Sequence, residues 1–162
     1  MFQRLDWPQL TIAKLQKYSI VQLFQSSDYL GPKGKKQILK RDYSFVYAMQ
    51  HGISTDVKHG PDLHVDPGYA WAMSRHTFDQ IGGLLEFSII GGANVHFAYA
   101  LFNRVEETIP ENVHPDYRSL TKLWGQRVAL AAGHGYKVGY ILTHVWHYWH
   151  GDWANSAYQQ RW

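Results

Sequence analysis

Asp116-Tyr-Arg-Ser-Leu-Thr-Lys-Leu-Trp-Gly-Gln-Arg-Val-Ala-Leu-Ala-Ala-Gly133, followed by Tyr136-Lys-Val-Gly-Tyr-Ile-Leu142 and His144-Val-Trp-His-Tyr-Trp-His150, is the run that decides the fold. The first part reads as helix. Asp116, after Pro115, is placed to cap free N–H groups, and Leu120, Trp124, Val128 and Ala131 recur at helical spacing as a core-facing stripe. Gly133 and Gly135 end it. The second part is rich in β-branched and aromatic residues and reads as strand. A long helix that hands the chain to strands is the repeating unit of an α/β layer.

The alternation continues upstream. Gly91-Gly92 precedes Asn94, which stands where an N-cap belongs, ahead of an apolar helix at 95–102. Residues 69–73 read as a short strand and 74–81 as a helix stopped by Gly82-Gly83. Asp6 and Pro8 open a first helix that runs to about Tyr18, and 20–24 reads as a buried strand. Residues 26–36, with Gly31-Pro32 and Gly34, read as loop; 43–49 as an aromatic strand; 50–66 as a long loop carrying His51, His59 and His64. The expected fold class is α/β, in one domain spanning 1–162.

At 162 residues the chain is long enough to bury a core without staples. It has no Cys, which excludes disulfides and thiolate metal sites and leaves His, Asp and Glu as the strong ligands. Lys and Arg exceed Asp and Glu by 16 to 13, too small an excess to mark a nucleic-acid partner. The basic cluster of Lys33, Lys35, Lys36, Lys40 and Arg41 reads as a solvated loop. No run approaches the ~20 apolar residues of a membrane span, and residues 1–6 lack the apolar heart of a signal peptide. The expectation is therefore no membrane association and a cytoplasmic setting, or the host-cell cytoplasm if the protein is viral.

Ten His give the chain its chemistry. His147 and His150 fall three apart among aromatics. In a straight strand they point to opposite faces, so joint chelation of a divalent cation demands a bend, which Gly151 permits. The other reading of the same residues is a half-buried strand with hydrogen-bonded imidazoles.

Three blocks now line up in one order: Pro67-Gly-Tyr-Ala-Trp-Ala72; Gly82-Gly83 with Ile89-Ile-Gly-Gly92; and His147-Tyr-Trp-His-Gly151 with Tyr158-Gln-Gln-Arg-Trp162. Together they resemble the C-terminal half of GT-A-fold glycosyltransferases, specifically the galactosyltransferase-like C-terminal domain and its phage and bacterial relatives. Thr108-Ile-Pro110, Tyr117, Trp124 and Arg127 add to the likeness, which covers about Trp7 to Trp162.

The resemblance implies a partial GT-A-like layered fold, with a mixed sheet flanked by helices. It implies transfer of a sugar from a nucleotide-diphosphate donor to an acceptor hydroxyl, with inversion and with a divalent metal, usually Mn2+. His147 and His150 occupy the two ends of the span that carries the family's C-terminal metal ligands. Tyr69, Trp71, Gly91 and Gly92 match the sugar-lining blocks, though each also fits a purely structural role. Asn94 stands where the family places its catalytic carboxylate; an amide caps a helix but does not accept a proton near pH 7. His96 is a substitute base by position, and Asp66 and Glu86 are the nearest carboxylates in sequence.

The family's N-terminal nucleotide half is not matched, and no Asp-x-Asp occurs in the sequence. The expectation is a domain incomplete or inactive as this chain alone, with the donor half supplied by a second polypeptide or a second copy. The alternative is a non-catalytic carbohydrate- or metal-binding module. A third reading, a metal-dependent hydrolase built on the His cluster, has only Asp152 as a nearby acid.

Overall fold

The computed structural model describes residues 1–55, 65–89 and 91–151. The architecture is mixed α/β, with two mixed sheets and flanking helices. Helix α1 (Trp7–Leu15) leads into β1 (Ile20–Gln22), β2 (Ser26–Gly31) and β3 (Gly34–Ser44). Helix α2 (Phe45–Gln50), β4 (Val65–Asp66), β5 (Trp71–Met73), α3 (Arg75–Ile81) and α4 (Ala93–Ala100) follow. A 3-10 turn at Val105–Thr108, helix α5 (Pro115–Ala131), β6 (Val138–Tyr140) and β7 (His144–His147) complete the order.

The first sheet runs β5-β1-β6, with β1 antiparallel to β5 and parallel to β6. The second runs β4-β3-β2-β7, with an antiparallel β2–β3 pair flanked by the parallel pairs β2–β7 and β3–β4. Consecutive strands β1 and β2 thus lie beside consecutive strands β6 and β7, broken only at 23–25 and 141–143. Cross-links at that break are main-chain bonds: Gln25 N donates to Thr143 O at 2.8 Å and Ile141 N to Gln22 O at 3.2 Å. The outer edge of β7 is taken up by residues 1–3, where Gln3 N donates to His144 O and Trp146 N to Met1 O, both at 2.9 Å.

The main core packs Ile20, Ile81, Leu101, Trp124, Val128 and Val138 between the first sheet, α3, α4 and α5. Burying a side chain of this kind stabilises by roughly 1.5–3 kcal/mol. Gln22 is the exception inside it. Fully buried, its amide donates to Asp66 O at 3.0 Å and to Gly68 O at 3.4 Å, while its carbonyl accepts from Val46 N at 3.0 Å. A single side chain therefore ties β1 to α2 and to the turn after β4.

Several expectations are corrected. Residues 26–36 are not loop but most of a β-hairpin, whose tight connection is Gly31-Pro-Lys-Gly34; Asp28 opposite Arg41 and beside His144 pairs the polar faces that hid the strands. Of residues 43–49 only Tyr43 and Ser44 are strand, the end of β3; from Phe45 the chain is helix. The Ser44 hydroxyl accepts from Tyr47 N at 3.2 Å and caps α2, and burial of Phe45, Val46 and Ala48 overrides their β-propensity. The cap of α4 is Gly92, in the left-handed region, and Asn94 lies one residue inside the helix. His114, not Asp116, caps α5. Its buried face is Thr121, Trp124, Gly125, Val128 and Ala129, so Leu120, half exposed, lies off the stripe. Asp6 makes no side-chain capping bond because Arg4 holds its carboxylate at 2.6 and 2.9 Å. Of the long loop at 50–66, His59 and His64 lie outside the described residues.

Candidate functional site

Strand β7 alternates its side chains, and that alternation splits the histidines. His144 faces β2 on one side: its Nδ1 is 2.9 Å from Ser26 Oγ and its Nε2 3.1 Å from Asp28 Oδ2. Asp28 is in turn gripped by Arg41 through two bonds of 2.6 and 2.9 Å, and that guanidinium holds its carboxyl below the usual carboxylate range. His147 projects to the other face. It meets Tyr29 from β2, with ring centroids 5.0 Å apart, and Tyr69 from the turn before β5, at 5.3 Å.

The chain leaves strand geometry after His147, and His150 swings back toward it. The two imidazoles lie 4.9 Å apart between centroids, at 77°. The bend that joint ligation requires is present, and Gly151 carries a φ of 118°. Burial, and then the neighbouring His150, lower the pKa of His147, so its ring is neutral at pH 7 with a lone pair to offer. Among the described residues no third His, Asp or Glu completes a cation-binding group with them. Two imidazoles fit a divalent ion whose remaining positions are filled by ligand oxygens and water. Asp152, Asn155-Ser156 and the block Tyr158–Trp162 lie outside the described residues.

The wall around His147 is aromatic with one carboxylate set into it. Tyr69 adopts φ 61°, rare for a residue with a side chain, and its half-exposed ring also meets Phe24 at 5.5 Å. The Tyr29 hydroxyl donates to Asp66 Oδ2 at 2.7 Å, and the Gly68 amide donates to Asp66 Oδ1 at 2.6 Å. Burial and the Asp66 charge raise the pKa of Tyr29, which therefore stays a donor. A flat apolar face beside fixed polar atoms is what an amphipathic ring ligand requires.

The head of α4 borders this wall. A Cβ built on Gly68 would lie 3.1 Å from Asp66 Oδ1 and 3.2 Å from Asn94 Nδ2, so the turn, the carboxylate and the amide meet at one point. Gly91, at φ 125°, has nothing within 4 Å of where its Cβ would be, and Gly92 follows at φ 82°. That backbone is open to close approach by a ligand.

Trp71 and His96 face inward. The Trp71 indole donates to Pro67 O at 3.1 Å and its ring packs edge-on against Phe97 at 5.1 Å, in contact with the core. His96 is buried, with Nδ1 2.6 Å from Thr108 Oγ1 and Nε2 2.8 Å from Tyr117 Oη. The two hydroxyls have other partners as well, Thr108 Oγ1 donating to Val105 O at 2.6 Å and Tyr117 Oη to Ser88 Oγ at 3.3 Å, so His96 sits in a connected polar network. Burial pushes the pKa of His96 down to about 4. With both nitrogens engaged, the ring bridges α4 to the 3-10 turn and to α5. Glu86 is exposed.

A cavity of about 930 Å³ lies elsewhere, lined among others by Met49, Thr55, Arg104, Thr108 and Arg118. None of Tyr69, Trp71, Gly91, Gly92, Asn94, His96, His147 or His150 lines it. Arg104 is committed to Glu107 and Thr55, and Arg118 to the Pro110 and Glu111 carbonyls. His147, His150, Tyr29, Tyr69 and Asp66 group apart from this cavity.

No family model, no curated protein and no solved structure matches this chain. Gln22 has no place in the sequence reading of the site, and Asp66 enters it only as one of the nearest carboxylates to Asn94, with its partners unseen. Their partners lie 24 to 46 residues away in the chain, and local spacing carries no trace of them.

Proposed function

We propose that the chain is a glycosyltransferase-like domain, the acceptor and metal side of a GT-A-type site. It would take part in moving a sugar from a nucleotide-diphosphate donor to an acceptor hydroxyl. The observation that carries the reading is the pairing of His147 with His150, 4.9 Å apart, against Tyr29, Tyr69 and the Asp66 carboxylate. His147 and His150 would hold a divalent ion, Mn2+ by resemblance, which when bound offsets the charge gathering on the diphosphate leaving group. Tyr69 offers the sugar a flat face, and Gly91 with Gly92 lets backbone come close to it. The donor half would come from a second polypeptide or a second copy of the chain.

Calorimetry with Mn2+, with and without UDP-sugars, tests this. Metal binding coupled to nucleotide binding, and lost in His147→Ala/His150→Ala, is the expected result; metal binding untouched by the pair of substitutions rejects it. One observation favours a second reading, a non-catalytic carbohydrate- or metal-binding module. Asn94, at the exposed head of α4, is an amide and cannot serve as the base. Sugar binding without nucleotide or turnover would identify that module.

A further inference from the structure

Helix α5 carries two apolar stripes, and the core uses one of them. Thr121, Trp124, Gly125, Val128 and Ala129 are buried. Leu120, Leu123 and Leu130 are 50, 57 and 68% exposed. At about 100° a residue these three lie together on the side turned away from the core, in one seam with Asp116 and Arg127. Along 116, 120, 123, 127 and 130 the steps are 4, 3, 4 and 3, the spacing by which one helix of a coiled coil meets another. Single exposed leucines need no explanation, but three on one seam mark a contact surface. We propose that the seam joins two copies of this chain, α5 of each packed antiparallel on the other about a two-fold axis. The inference is independent of the transferase reading.

A second copy fits because the seam is complementary to itself. With the axis level with Gly125, Leu120 faces Leu130 of the second copy and Leu123 faces its Arg127, and the same pairs recur on the other side of the axis. The Arg127 guanidinium does not place a charge on that axis. It is drawn against Gly82, where a built Cβ would lie 3.2 Å from its Cζ and Nη2.

The charges at the two ends set the direction. Asp116, with a side chain 83% exposed, stands at the start of α5. The exposed Lys137 folds back over the far end, with its Cγ, Cδ and Cε 3.1, 3.4 and 3.6 Å from where a Cβ on Gly133 would lie. Antiparallel packing brings Asp116 of each copy to the end that carries Lys137 of the other, whereas parallel packing would set like charges together at both ends. Antiparallel helix dipoles favour the same direction. Ser119 and Gln126, which flank the seam, are uncharged and repel nothing. The loop that carries Leu84, 59% exposed, runs beside the helix, held by the bond of 3.0 Å from the Trp124 indole to Gly83 O and by the Phe87 ring 5.4 Å from that of Tyr117. Four exposed leucines a side, against the roughly 20–30 residues of a stable interface, make a weak dimer, with Kd on the order of 10–100 µM.

Sedimentation equilibrium of the full chain from about 1 to 500 µM reads this range directly. The average mass should rise from 18.8 kDa towards twice that value and no further. Leu123→Asp/Leu130→Asp, which changes only exposed positions, should stay at 18.8 kDa throughout with the unfolding midpoint of the parent. A parent that remains monomeric at the highest concentration overturns the proposal, as does a double variant that associates like the parent. Mass that climbs past the dimer also overturns it, since a two-fold seam closes on itself. Cross-linking fixes the direction, because the chain has no Cys of its own. Leu120→Cys and Leu130→Cys proteins, one of them enlarged by a tag, are mixed and treated with a short bis-maleimide. The mixed dimer should dominate, because like positions in the antiparallel pair lie about 15 Å apart along the axis and unlike ones side by side. Cross-linking of each variant chiefly to itself would show a parallel or unrelated contact and reject the proposed packing.

Discussion

At the scale of single residues, the two buried ionisable groups near α4 behave in opposite ways. Asp66 keeps donors on both oxygens and stays charged in the turn beside Tyr29 and Gly68, whereas burial keeps His96 neutral. The folded-state pKa of His96 is about 4, against about 6.5 in the unfolded chain. Between those values the unfolded chain binds the extra proton, so stability is full above about pH 6.5 and falls as pH drops toward 4, by up to about 3 kcal/mol. Urea midpoints measured from pH 7 to pH 4 should decline with that profile, and His96→Gln should flatten it. A parent curve with no slope in that window would place the ring in water. The approach of His147 to His150 was legible as one of two readings of their spacing, the bent one. His96 was legible only as a position, because a sequence does not reveal that Thr108 and Tyr117 close on it from two other elements.

Elements show where pattern reading succeeds. Helix α3 follows its signals from Ser74, whose hydroxyl accepts from Thr77 N at 3.1 Å, to left-handed Gly82. Helix α2 defeats them, since its residues are β-prone and only the Ser44 cap and tertiary burial make it helical. Ser44→Ala should therefore cost about 1 kcal/mol, read as a lower urea midpoint, and an unchanged midpoint would remove the cap from the account. Helix α5 makes a sharper test. A Cβ at Gly125 would lie 2.5 Å from Val105 Cγ1, against the 3-10 turn. In an exposed helix, Gly→Ala stabilises by up to about 1 kcal/mol. Here Gly125→Ala should instead destabilise by about 1–3 kcal/mol through overpacking. Gly125→Ala/Val105→Ala should recover part of that loss, since Val105 Cβ still lies 2.9 Å away, and no recovery would place the clash elsewhere.

Across the whole molecule, the α/β alternation of the sequence carried through to the fold, but the division into two sheets did not. Ser26 pairs with His144 and Ile20 with Val138, 118 residues apart in each case, and no local window contains such a ladder. The N-terminal residues were read only for the lack of a signal peptide's apolar heart, whereas they cover the β7 edge, with Phe2 stacked on Trp7 at 4.7 Å. Removing residues 1–4 should bare that edge and give association that rises with concentration in light scattering. A variant that stays at its parent's mass across the range would show the edge to be protected otherwise. Among the described residues no helix is long and apolar enough to cross a membrane.

The parallel ladders that join 20–29 to 138–147 also set an order of events during synthesis. While a ribosome is still adding α5, β1 and β2 have no parallel neighbour, and Tyr29 waits without the ring it will face. The wall around His147 closes only once residues 138–150 have emerged, so a stalled nascent polypeptide ending before residue 138 should present the hairpin and the helices to chaperones with that wall still unmade.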